Sequence, residues 1–208
     1  MGCSNPHPHC QVWATSHIPQ EPAKELENLS NYQKSHNSCL LCDYVTLEIN
    51  TTTSSPTSHR LVLQNESWIV VVPFWATWPF ETLVLPKAHL SDLTQLSTKQ
   101  QRDLSNALKT LTVKYDALFS CSFPYSMGIH QAPCGSGTAP VSSSSLSSAG
   151  NIAPSMMTLK ELSHMHLHFY PPLLRSATVK KFLVGFEMLA EAQRDLTPEQ
   201  GAERLRDV

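Results

Sequence analysis

Residues 61–86 read LVLQNESWIVVVPFWATWPFETLVLP. Aliphatic and aromatic residues come in short bursts, broken by QNES at 64–67 and ATWP at 76–79. Runs rich in β-branched and aromatic residues, separated by turn-forming clusters, predict antiparallel strands joined through a hairpin. Pro73, Pro79 and Pro86 punctuate the stretch. Proline cannot donate to a strand ladder, so these positions mark strand ends or edges.

Working outward, residues 97–119 predict a helix. Ser97 and Gln100 have the spacing of a capping box, and Leu104, Leu108, Leu111, Tyr115 and Leu118 recur as one apolar stripe. FPYSMGIHQAP (123–133) returns to a strand carrying His130, and SHMHLHFYPP (163–172) predicts another. Between them, residues 134–162 form a Ser/Gly/Ala/Pro-rich low-complexity loop. SATVKKFLVGFEMLAEAQRDL (176–196) predicts an amphipathic helix with Val179, Phe182, Phe186 and Leu189 on one face. In TPEQGAERLR, Thr197 caps, Pro198 takes the first helical position and Gln200 closes the box. Towards the N-terminus, residues 21–36 are polar and helical in pattern, with Glu25 and Glu27 in the early turns. Residues 1–20 read as a strand end followed by a loop. The expected class is α+β, an antiparallel sheet covered by helices. Residues 1–20 stand as a motif-bearing segment and 21–208 as the main unit.

Bulk composition narrows the function. The 208 residues are 41% hydrophobic and 15% charged, with a net charge of -2. That is enough chain for one domain with a substantial core. No Lys/Arg run gives an electrostatic case for nucleic acid or a membrane surface. WIVVVPFW is too short to span a bilayer. The N-terminus lacks a basic patch followed by an apolar segment, which points to the cytoplasm. The cysteines are Cys3, Cys10, Cys39, Cys42, Cys121 and Cys134. In a long chain without a leader they are expected to be free thiols. Cys39 and Cys42 form CLLC. A lone C-x-x-C is a weak zinc signal, and the pair reads as two thiols beside a buried strand.

The histidines carry more. In a strand, residues two apart face the same way. His7 and His9, held extended by Pro8, therefore share one side, as do His164, His166 and His168. Such imidazoles can converge on a metal. Alternatively, one can act as a nucleophile while a neighbour or the backbone fixes its tautomer.

GCSNPHPHCQVWA (2–14) resembles the active-site motif of the galactose-1-phosphate uridylyltransferase family, a branch of the histidine-triad superfamily. VPFWATWPFETLVLPKAHL (72–90), YDALFSCSFPYSMG (115–128), HFYPPLLRSATVKKF (168–182) and VGFEMLAEAQRDLTPEQGAERLR (184–206) resemble later parts of that family, in the same order. The likeness covers nearly the whole chain outside the Ser-rich loop. It implies a histidine-triad-like fold and transfer of a uridylyl group from UDP-glucose to galactose 1-phosphate, a step of galactose metabolism, through a uridylyl-histidine intermediate. His9 would be the nucleophile. Ser4 and Gln11 would contact phosphate. Gln11 stands where hydrolytic relatives carry a third histidine, and an amide supplies no proton readily.

The resemblance also assigns metal ligands. His7 would bind zinc, with two cysteines and a histidine from an earlier segment of the family. Glu25, His130, His166 and His168 would form a second site for zinc or iron. Lys181, Val184, Phe186, Glu187 and Gln193 would contact hexose phosphate across a homodimer interface, with the active site shared between subunits. The family has a long segment before the His7 motif, so the expectation is an N-terminally truncated version. A form that keeps the metal-binding and dimerising half without turnover is the alternative. Departures from the family pattern are the long 134–162 loop, Ile129 and Gln131 around His130, His164 where glutamine is usual, and Phe186 where tyrosine is typical.

Overall fold

A computed structural model describes residues 7, 12, 14–55, 59–123, 125–134, 157–171 and 196–208. The three bursts of the 61–86 stretch are strands: β1 (Leu61–Gln64), β2 (Trp68–Val71) and β3 (Thr82–Pro86). β1 and β2 form the expected hairpin, and β2 pairs antiparallel with β3 from Trp68↔Pro86 to Val71↔Leu83. Asn65 makes the hairpin turn, its side-chain oxygen accepting from the Ser67 and Trp68 amides. Pro86 ends β3, as a residue without an N–H should.

Two later strands complete the sheet. β4 (Ser126–His130) is an edge strand, and β5 (His166–Tyr170) inserts between β3 and β4. The order is β1-β2-β3-β5-β4, antiparallel throughout. Sequence order and spatial order therefore differ at the half of the sheet that carries histidines.

Helices cover both faces. α1 (Gln20–His36) and α2 (Leu40–Ser54) precede the sheet in the chain. α3 (Thr98–Phe119), the one-turn α4 (Leu159–Leu162) and α5 (Pro198–Arg206) follow β3. One core joins Trp68, Val70, Val84, Leu167 and Phe169 to Leu111 and Tyr115 of α3 and Leu205 of α5. The other joins Ile69, Val71, Leu83 and Leu85 to Leu29 of α1 and to Leu41 and Val45 of α2. This double cover explains why β2 and β3 read as continuous apolar runs rather than alternating ones. Every residue in them is buried.

Capping agrees with the sequence at α3 and α5: both boxes, Ser97–Gln100 and Thr197–Gln200, are formed. Two elements differ from expectation. α2 has no announced pattern, because LLCDYVTLEINTTTS is rich in β-branched residues that favour strands. It is helical because Leu41, Tyr44, Val45 and Glu48 fall on one buried face. The end of the predicted 134–162 loop is also ordered: Thr158 and Glu161 close a capping box on α4. The amphipathic helix predicted over 176–196 lies outside the described residues, apart from Leu196.

Candidate functional site

The site begins with alternation on β5. Leu167 and Phe169 point into the α3 core. The histidines that alternate with them, His166 and His168, therefore face the opposite side, where α1 runs. β4 pairs in register, with His130 directly opposite His166 and Gly128 opposite His168. His130 thus joins the same face. Glu25 comes from the second turn of α1. The four residues form one cluster, each offering a ligand atom within 4.8 Å of the others.

Its contacts are specific. Both Glu25 carboxylate oxygens lie 2.8 Å from His130 Nδ1. The Nε2 atoms of His166 and His168 lie 3.6 Å from the same carboxylate. His166 Nδ1 is 2.8 Å from the His164 carbonyl, which can only accept. The ring proton therefore sits on Nδ1, leaving the Nε2 lone pair aimed at the cluster. His168 Nε2 is buried without a hydrogen-bond partner. An orphaned imidazole nitrogen beside a carboxylate and two more imidazoles is a donor set that fits a divalent metal such as zinc or iron.

The electrostatics follow. Burial pushes the Glu25 carboxyl up, but the hydrogen bond to His130 and the close imidazoles of His166 and His168 outweigh it and hold the group well below the usual carboxylate range. His130 is raised by its bond to Glu25. His168 is lowered, first by burial, then against the pull of Glu25 by the neighbouring His166 and His130. Clefts of about 710 and 590 Å³ open on either side of Glu25, and both are lined by Glu25 and His166.

Of the residues nominated from sequence, these four are brought together. His7 is exposed and belongs to neither metal-capable cluster of the described residues. Ser4, His9, Gln11, Lys181, Val184, Phe186, Glu187 and Gln193 lie outside the described residues.

The reading of CLLC as two thiols beside a buried strand is corrected. Cys39 is the N-cap residue of α2 and Cys42 lies in its first turn. Together with His89 and His164 they form a second four-residue cluster. Sequence reasoning missed it because the two histidines lie far from the cysteine pair and from each other. The signal was present in two separate oddities: an unexplained C-x-x-C, and His164 where the family usually has glutamine. Cys39, Cys42, Cys121 and Cys134 are free thiols, as expected. Among the described residues, no helix is long and apolar enough to cross a membrane.

Comparison with known proteins identifies the family and the fold. The family described as "Galactose-1-phosphate uridyl transferase, C-terminal domain" matches residues 25–208, and the corresponding N-terminal domain matches residues 1–19. A galactose-1-phosphate uridylyltransferase of Hypocrea jecorina is 52% identical over 206 residues, covering 99% of this chain and 47% of its own. The Rattus norvegicus protein of the same name is 49% identical over 208 residues, covering 99% of this chain and 48% of its own. The chain thus spans about half the length of the curated relatives it matches. A solved uridylyltransferase mutant superposes with a TM-score of 0.65 at 29% identity, over 92% of this chain and 53% of that one. An ADP-glucose phosphorylase from Arabidopsis thaliana shares the fold, with a TM-score of 0.63 at 22% identity over 92% of this chain and 50% of its own.

Proposed function

This chain belongs to the galactose-1-phosphate uridylyltransferase family, and from that premise we propose that it serves uridylyl transfer between UDP-glucose and galactose 1-phosphate. The observation that carries the reading is the convergence of Glu25, His130, His166 and His168, which come from one helix and two strands and are the residues the family resemblance nominates.

The neutral imidazole of His9 attacks the α-phosphorus of UDP-glucose. A phosphorus–nitrogen bond forms, the bond from phosphorus to the bridging oxygen breaks, and glucose 1-phosphate leaves with the electron pair. A phosphate oxygen of galactose 1-phosphate then attacks the same phosphorus, freeing His9 and giving UDP-galactose. Little covalent chemistry falls to other side chains, so they position and neutralise phosphate. Gln11 and Ser4 donate hydrogen bonds to phosphoryl oxygens. Lys181 supplies positive charge. Val184, Phe186, Glu187 and Gln193 contact the hexose phosphate of the partner subunit in a cytoplasmic homodimer. Bound by Glu25, His130, His166 and His168, a divalent cation would supply positive charge and fix α1 against β4 and β5. His7 would be one ligand of the family's zinc site, whose remaining ligands the described residues do not supply.

The test is intact-protein mass spectrometry after mixing the purified chain with UDP-glucose. A mass increase of one uridylyl group, absent from His9→Gly, is expected. No adduct from a folded sample would instead support the reading in which the chain binds metal and a second copy without turnover.

A further inference from the structure

The second cluster is built like a closed metal site. Cys42 Sγ lies 3.4 Å from His164 Nδ1 and 3.5 Å from His89 Nδ1, and Cys39 Sγ lies 3.5 Å from His164 Nδ1. All four ligand atoms fall within 4.8 Å of one another. Around a tetrahedral zinc, with Zn–S of about 2.3 Å and Zn–N of about 2.05 Å, a sulfur and a nitrogen stand about 3.6 Å apart. The observed separations are close to that edge length.

The outer contacts set the tautomers. His164 Nε2 is 3.3 Å from the Pro86 carbonyl, and His89 Nε2 is 3.2 Å from the Glu161 carbonyl. Carbonyls accept only, so each ring carries its proton on Nε2. Both Nδ1 lone pairs then point at the sulfurs, as a metal-binding histidine requires. The two rings stand nearly perpendicular, at 76° with centroids 5.1 Å apart, which directs them from different sides. The thiols sit at the N-terminus of α2, where the helix dipole favours thiolate. His164 is buried while His89 is exposed, so the site has a firm base and an entry path.

We propose that Cys39, Cys42, His89 and His164 bind a structural zinc ion. Two thiolates and two imidazoles fill a tetrahedron and leave no open position, so the site is structural rather than catalytic. It clips three separate places together: the start of α2, the loop after β3, and the residue two before β5. The proposal does not rest on the transferase reading.

Cobalt substitution tests it. The full chain, stripped of metal and reduced, is titrated with Co²⁺ and followed by absorbance. Thiolate-to-cobalt charge-transfer bands and intense tetrahedral d–d bands are expected, saturating at one equivalent and displaced by Zn²⁺. Glu25→Ala, which cripples the other cluster, keeps these bands, because that cluster holds no sulfur. Cys121→Ser also keeps them. Cys39→Ser and Cys42→Ser lose them. Absence of charge-transfer bands in the reduced unmutated chain overturns the proposal, without depending on whether any variant folds. Bands that survive both Cys39→Ser and Cys42→Ser overturn it too, since other thiols would then be the ligands. A Cys39–Cys42 disulfide in the isolated protein overturns it if reduction fails to restore cobalt binding.

Discussion

Glu25 is where one side chain decides the charge of its surroundings. In the metal-free chain its depressed carboxyl stabilises the fold above the ordinary carboxylate range, and that contribution is lost as pH falls through the lowered value. The raised His130 works in the opposite sense: its contribution is full below the ordinary imidazole range and is lost as pH rises through the raised value. The pair therefore stabilises most in the window between those limits. Denaturant titrations in chelator across pH should show Glu25→Gln least stable relative to the unmutated chain in that window, with the gap closing at either side. An NMR titration of the same variant should show the His130 pKa falling. A second residue of this kind is Arg60, which bonds the fully buried Glu48 at 2.7 Å and Glu199 at 2.9 Å. Arg60→Met leaves the Glu48 charge without its partner and should cost about 3–5 kcal/mol in urea unfolding. His166 and His168 were legible in the sequence because period-two alternation sets them on one face; His130 was legible as a strand histidine, and its place in the set came from the family resemblance. Glu25 was not legible. On α1 it has the pattern of an ordinary exposed charge, and only the family resemblance singled it out. Cys39 and Cys42 were visible as a lone C-x-x-C and His164 as a departure from the family, but their union with His89 was not legible, because only tertiary folding makes the four neighbours.

Among the elements, those with strong local rules were the most readable. β1 to β3 carry their hairpin chemistry, and α3 and α5 carry capping boxes, so local preference and final state agree. α2 is the opposite case: tertiary burial of one face overrides a composition that favours strands. The turn into β3 shows a further long-range dependence. Phe80 holds a left-handed backbone at φ 62°, unusual for a bulky residue. Tyr115 of α3 donates to the Phe80 carbonyl at 2.7 Å, and its hydroxyl also bonds Thr82 at 2.9 Å. Tyr115→Phe leaves the Phe80 carbonyl and the Thr82 hydroxyl without that buried partner. It should cost about 1–3 kcal/mol in denaturant unfolding.

For the whole molecule, the two four-residue clusters lie on the side of the sheet covered by α1 and α2. Metal bound there favours the folded state by mass action, by about 2.7 kcal/mol per site at a free concentration 100 times the dissociation constant. Removal with a strong chelator should lower the melting temperature measured by circular dichroism, and added Zn²⁺ should restore it in a concentration-dependent way. An unchanged melting temperature would show that neither cluster is filled in the purified protein. The insertion of β5 between β3 and β4 has its own bearing on synthesis. As the chain leaves the ribosome, β1, β2 and β3 can pair in turn, but β4 emerges with its partner still unmade. The strand that receives it begins at His166 and also brings His168, with His164 just ahead of it. A nascent chain that has reached His130 thus holds Glu25 and His130 of one cluster and Cys39, Cys42 and His89 of the other, yet completes neither. Sheet closure and completion of both clusters become a single late event, gated by the same few residues.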